Sequence, residues 1–167
     1  MLTHHLFDCL AALHGFVGAK RVLDVGSGGG LPGVIIAICA AWSAPEMHVD
    51  LIDTVHKKTA FLTQAKAELQ LSNLTVHTGR VEQLATEHLF DVITSRAFAS
   101  LSDFVNLSGH LLCAGGKIIA MKGPAFESEL TTLPTTWRME STEKLIVPAM
   151  SGERYLISLM RAHATSN

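Results

Sequence analysis

Four glycines fall within the five residues Gly26 to Gly30, just behind Asp24 and ahead of Leu31-Pro32-Gly33. Glycine lets a backbone turn sharply and lets a ligand approach it closely. The N–H groups that open a following helix then point toward that ligand. The expected occupant is nucleotide-like, and two frames run through the segment. Gly28-Gly29-Gly30-Leu31-Pro32-Gly33 satisfies G-x-G-x-x-G, the dinucleotide fingerprint. The other frame, D-x-G-x-G-x-G, begins at Asp24, whose carboxylate can hold the ammonium of a methionine moiety. Near a pyrophosphate the same carboxylate would be repelled. The residues therefore favour S-adenosylmethionine over NAD, and an NAD-dependent oxidoreductase stays as the alternative. Asp53 stands where ribose hydroxyls are held in either case. Glu82 is placed to accept from the adenine amine, with a solvated loop charge as the plain alternative.

These residues need a scaffold, and the pattern supplies one. Short apolar runs over 21–26, 47–53, 74–77, 90–95 and 116–121 read as strands. Helical patterns lie between them. One starts at Pro32, which suits a first helical turn, and runs to about Trp42. A second spans Val55 to Leu71 with Phe61, Leu62, Ala65 and Leu69 on one face. A third, from Phe104 to Leu112, is expected to stop at Gly115-Gly116. Strands joined by such helices imply right-handed crossovers and a mostly parallel sheet. Glu143–Val147 and Glu153–Met160, separated by a turn containing Ser151-Gly152, read as a closing antiparallel hairpin. The expected class is α/β, a Rossmann-like sheet with a C-terminal hairpin.

Composition narrows the partners. The 167 residues form one expected domain, 1–167. A hydrophobic content of 48% excludes a disordered tail, while a net charge of −2 excludes a generally basic nucleic-acid binder. Charged residues make up only 17%, so a face covered by something else is expected. Cys9, Cys39 and Cys113 include no C-x-x-C pair, which argues against a disulfide framework and fits a reducing, cytoplasmic setting. His5 and Cys9 can share a helix face, yet two ligands do not make a metal site, so no metal is expected. No apolar stretch reaches the roughly 20 residues of a membrane span.

The acceptor should sit beyond the fourth strand, at Thr94-Ser95-Arg96-Ala97-Phe98. No N-P-P-Y turn for amine methylation occurs there. Cys39 and Cys113 lie in apolar, helix-like patterns that suit inert thiols better than nucleophiles. An acceptor that is already nucleophilic remains, such as guanine N7, which needs alignment but no general base. Arg96 is then a candidate to hold guanine O6 or a phosphate. Phe98 is a candidate stacking platform, although core packing is the stronger reading for it.

The chain resembles the bacterial 16S ribosomal RNA guanine-N7 methyltransferases, the glucose-inhibited division protein B family. The resemblance is carried by LDVGSGGGLPGVIIAI (23–38), LIDTVHKKTAFL (51–62), GRVEQL (79–84), SRAFASLSDF (95–104), AMKG (120–123), VPAMSGERYLI (147–157) and the opening HHLFDC (4–9). It implies a class I S-adenosylmethionine-dependent methyltransferase fold and methyl transfer to one guanine N7 of 16S rRNA in the 30S subunit. It places cofactor contacts at Gly26, Leu31, Val81, Glu82 and Arg96, and general fold logic adds Gly28, Gly30 and Asp53. His56, Lys57, Lys58 and Lys122 are candidate RNA-phosphate contacts, with a solvated helix face as the alternative for the first three. The resemblance further implies a helical segment ahead of the point where this chain begins. A binding module without catalysis and a small-molecule methyltransferase are the remaining rivals.

Overall fold

Strands that are apolar on both sides need cover on both sides, and the computed structural model, which describes residues 2–147 and 152–162, supplies it with five α-helices. The order is α1 (Leu2–Ala12), β1 (Arg21–Val25), α2 (Gly33–Ser43), β2 (His48–Asp53), α3 (His56–Glu68), β3 (Leu74–Thr78) and β4 (Phe90–Ser95). Then follow α4 (Leu101–Ser108), β5 (Leu112–Lys122), α5 (Phe126–Leu130), β6 (Trp137–Leu145) and β7 (Arg154–Arg161). The sheet runs β3-β2-β1-β4-β5-β7-β6. Its first five strands are parallel, and β7 lies antiparallel between β5 and β6. One face buries Phe16, Ile36, Leu51 and Leu62 under α1, α2 and α3. The other buries Leu23, Phe90, Phe104 and Trp137 under α4 and α5.

Strand order reverses between β1 and β4, so the loops leaving their carboxyl ends diverge and open a crevice. Asp91 secures the opposite end of this pair. Its Oδ2 accepts from the backbone N–H of Lys20 at 2.7 Å and of Arg21 at 2.8 Å.

The parallel sheet and the hairpin match expectation, but several details differ. Pro32 caps α2 from outside, and the helix proper begins at Gly33. In α3, Thr59 and Leu62 are buried, whereas Phe61 faces solvent, as does Leu69 just past the helix end. Gly115-Gly116 does not stop a helix. α4 ends earlier, and both glycines lie within β5, where the chain bulges: β5 advances from Leu112 to Lys117 while β4 advances from Phe90 to Val92. A Cβ on Gly116 would meet the Asp91 carbonyl at 2.9 Å. Cys113 accordingly sits on a strand rather than a helix. β6 begins at Trp137, well before Glu143, because only its two ends are buried and an edge strand with a polar middle lacks alternation. Ser151 of the expected turn lies outside the described residues.

Burial alone would raise the Asp91 carboxyl, but hydrogen bonds from Arg21 and then Lys20 outweigh it and hold it below the ordinary carboxylate range. A depressed folded value gives stability that is full above the unfolded value and is lost as pH falls through the folded one. Asp91→Ala should cost about 1–3 kcal/mol at neutral pH. The deficit, followed by urea unfolding, should shrink as pH drops below about 4.

Candidate functional site

The loop after β1 is fastened by the end of β2. Gly26 and Ser27 donate their N–H groups to the Ile52 carbonyl at 2.8 and 3.1 Å. Gly28 donates to Asp53 Oδ2 at 2.9 Å, and the other oxygen of Asp53 accepts from Val55 N–H at 2.9 Å. Gly26 has φ +67°, and a Cβ there would meet that of Ala97 at 2.7 Å. Gly30, at φ +94°, would strike Val34 Cγ2 at 2.5 Å. Only glycine serves at these two positions.

Asp24 lies buried beneath the loop. Its Oδ2 accepts from Gly33 N–H at 2.8 Å, and its Oδ1 meets no donor. Burial pushes its carboxyl up to about 7, opposed by the Gly33 N–H and Arg96 and assisted by Asp53.

Three cavities run along this edge of the sheet. The first, about 490 Å³, is lined by Asp53, Lys58, Val81, Glu82 and Phe98 among others. The second, about 390 Å³, lies over the glycine loop between Ser27, Gly28, Leu31, His5 and Arg96. Gly26 and Ala97 line both. Arg96 also lines the third, about 340 Å³, with Asp8, Lys122 and Arg154.

The structure therefore brings Gly26, Gly28, Leu31, Asp53, Val81, Glu82 and Arg96 together around two joined cavities. Gly30 lines neither and serves the turn instead. Asp53 fastens the loop as well as lining the cavity, and carboxylate oxygens that each accept one bond keep capacity for ribose hydroxyls. Glu82 Oε1 accepts from Arg80 Nε at 2.7 Å on a 3-10 turn over Val81–Gln83.

Of the other candidate RNA contacts, the structure turns Lys122 inward and gives Phe98 the packing role that its sequence context favoured. Lys122 turns inward: its Nζ donates to the Phe98 and Ala99 carbonyls at 3.1 and 3.2 Å and pairs with Glu129 at 2.9 Å. Those internal acceptors occupy the ammonium that a phosphate would need. Phe98 stacks on Phe104, with centroids 4.9 Å apart and planes at 18°, so core packing claims that ring face. Lys57 and Lys58 remain exposed on the first turn of α3.

Arg96 is held by α1. Its Nη2 donates to His5 Nδ1 at 2.7 Å, and its Nη1 lies 3.8 Å from Cys9 Sγ, one helical turn further on. His5 and Cys9 do share a face, and what they hold is a guanidinium. Burial pushes the Cys9 thiol up to about 11 against the pull of Arg96, so it is no nucleophile. Among the described residues no group of three His, Cys, Asp or Glu gathers to hold a metal, and no helix is long and apolar enough to cross a membrane.

Ser95 carries a role that its residue type did not announce. Its hydroxyl donates to the Val25 carbonyl at 2.7 Å and accepts from Ala97 N–H at 3.0 Å, tying the β4 loop to the end of β1. Its place as the last residue of an apolar strand at the switch point was the available signal.

The family described as rRNA small subunit methyltransferase G (GidB) matches residues 1–157. The chain belongs to this family. The "Ribosomal RNA small subunit methyltransferase G" of Herminiimonas arsenicoxydans is 61% identical over 161 residues, covering 96% of this chain and 74% of that one. Among solved structures, TrmN from Thermus thermophilus superimposes with a TM-score of 0.71 at 19% identity, over 92% of this chain and 48% of that one. A ribosomal protein L11 methylase from Lactobacillus delbrueckii subsp. bulgaricus gives 0.69 at 17%, over 98% and 81%. At those identities the likeness is one of fold: a Rossmann-like α/β sheet with a C-terminal hairpin.

In this member of the methyltransferase G family, the buried Asp24 has a pH signature. A carboxyl raised in the folded state contributes stability that is full below its unfolded value and is lost as pH rises through the folded one. Asp24→Asn stays neutral and keeps an acceptor for Gly33 N–H. Its stability advantage over wild type should grow from about pH 4 to about pH 7 and level off above. Urea unfolding at stepped pH reads this directly.

Proposed function

We propose that the chain transfers the methyl group of S-adenosylmethionine to N7 of a guanine in the 16S rRNA of the small ribosomal subunit, a cytoplasmic reaction. The observation that carries this reading is the pair of joined cavities over a glycine segment fastened by two acidic residues of different character. Asp24 offers a buried, unpartnered oxygen below the glycine loop, suited to an ammonium. Asp53 offers a carboxylate at the end of β2, suited to ribose hydroxyls. The family match and the printed names of its relatives support the same reading.

When bound, S-adenosylmethionine supplies a methyl group on a sulfonium, which a free lone pair can take without a general base. The chain's own residues then have only to bind, align and exclude water. Arg96 stands at the junction of the second and third cavities, beside both the glycine loop and the acceptor side. Val81 and Phe98 give the first cavity an apolar wall that a flat adenine can lie against. Lys57 and Lys58, exposed at the start of α3, are placed to meet RNA phosphates, with Lys58 on the rim of the first cavity. With a net charge of −2, general RNA affinity is low. The assembled subunit or an assembly intermediate therefore suits the chain better than free RNA.

Small subunits from cells lacking this methylation, incubated with methyl-labelled S-adenosylmethionine, should take up label at one guanine, mapped by strand cleavage at 7-methylguanine. Arg96→Ala should reduce incorporation about 100-fold or more, as for loss of one preorganised charged donor. Label at another atom, or none while cofactor binds, would overturn the reading.

A further inference from the structure

Asp8 stands on α1 with 2% of its surface exposed, beside Cys9. Its Oδ2 lies 3.7 Å from Arg154 Nε, and its Oδ1 is buried without any donor. Buried polar atoms are nearly always paired, and an acceptor left bare is destabilising until a donor reaches it. The third cavity is where this carboxylate sits, flanked by Arg96, Lys122 and Arg154. Lys122 is committed to Glu129 and two carbonyls, whereas the guanidiniums of Arg96 and Arg154 keep N–H groups beyond their bonds to His5 and the Glu153 carbonyl, beside one under-bonded carboxylate. That set combines donors for a carbonyl oxygen with an acceptor for N–H groups.

The geometry points to this third cavity as the pocket for the acceptor base, with Asp8 reading the N1–H and N2 amino group of guanine. The assignment rests on the methyltransferase reading above and adds the residue that selects the base. Guanine alone presents two adjacent donors on its Watson–Crick edge, next to the O6 acceptor. Adenine and cytosine present a bare ring nitrogen there, which a carboxylate repels. The guanidiniums of Arg96 and Arg154 supply donors for O6, and N7, which lies outside the edge Asp8 reads, keeps its lone pair. A phosphate is the poorer occupant, since the free carboxylate oxygen would repel it. The cavity also adjoins the glycine-loop cavity through Arg96, as an acceptor pocket must.

Base preference tests this without turnover. Guanosine, inosine and adenosine are each titrated by saturation-transfer NMR against protein saturated with S-adenosylhomocysteine, which keeps nucleosides out of the first cavity. Guanosine should bind about tenfold or more tightly than adenosine, with inosine, which lacks the N2 amino group, in between. Asp8→Asn should abolish the preference while leaving the affinity for S-adenosylhomocysteine unchanged. Equal binding of guanosine and adenosine by the wild type would overturn the assignment, and that comparison needs no variant to fold. An unchanged preference in Asp8→Asn would overturn it too. Labelling of small subunits without any guanosine preference removes Asp8 alone. Guanosine preference without labelling removes the activity and leaves the pocket.

Discussion

Two carboxylates at the ends of β1 and β2 hold the glycine loop, and the site depends on them. Asp24 takes the N–H of Gly33 at 2.8 Å, and Asp53 takes those of Gly28 and Val55 at 2.9 Å each. A run of glycines has more conformational freedom to lose on folding than any other sequence. Without these fixed acceptors it would not present one surface to a ligand. Both carboxylates are set by parallel strand pairing: Asp24 aligns with Leu51 and with Thr94, and Asp53 with Thr78. The sheet thus positions the loop, and the loop forms the floor of the cavities.

Arg96 extends this arrangement toward the acceptor. It follows β4, while the side chains that steady it, His5 and Cys9, belong to α1 at the other end of the sequence. Positions three and four apart on a helix share a face, so His5, Asp8 and Cys9 together form one wall. That wall meets the cofactor-side cavity through His5 and the third cavity through Asp8. The helix therefore does more than cover the core.

The parallel strands were legible in the sequence because apolar runs bounded by glycine or by helical patterns leave few alternatives. The sequence pattern marks both ends of β4, whereas it marks only the end of β6, because Arg138 to Lys144 are exposed and carry no alternation. The misplaced helix stop at Gly115-Gly116 has a plain cause: glycine serves a strand bulge as readily as a helix end. The glycine loop and Asp53 could be placed from residue types, since their roles follow from short-range spacing. Lys122 could not. Its contact with Glu129 forms only once β5 and α5 are packed, and a lysine's type says nothing of which way it turns. Asp8 is illegible in the sequence for the same reason. Its importance lies in a missing hydrogen bond, which only three-dimensional surroundings disclose.

The central claim is that Asp24 and the glycine loop form a site for a methionine-bearing nucleoside rather than a dinucleotide. Calorimetric titration of the wild-type protein and of Asp24→Asn with S-adenosylhomocysteine, with 5′-methylthioadenosine and with NAD tests it most directly. S-adenosylhomocysteine should bind the wild type at least about tenfold more tightly than methylthioadenosine, the gain expected of a charge-assisted hydrogen bond to the ammonium. Asp24→Asn should remove most of that gain, and NAD should not compete. Equal affinity for the two nucleosides, or displacement by NAD, would contradict the account.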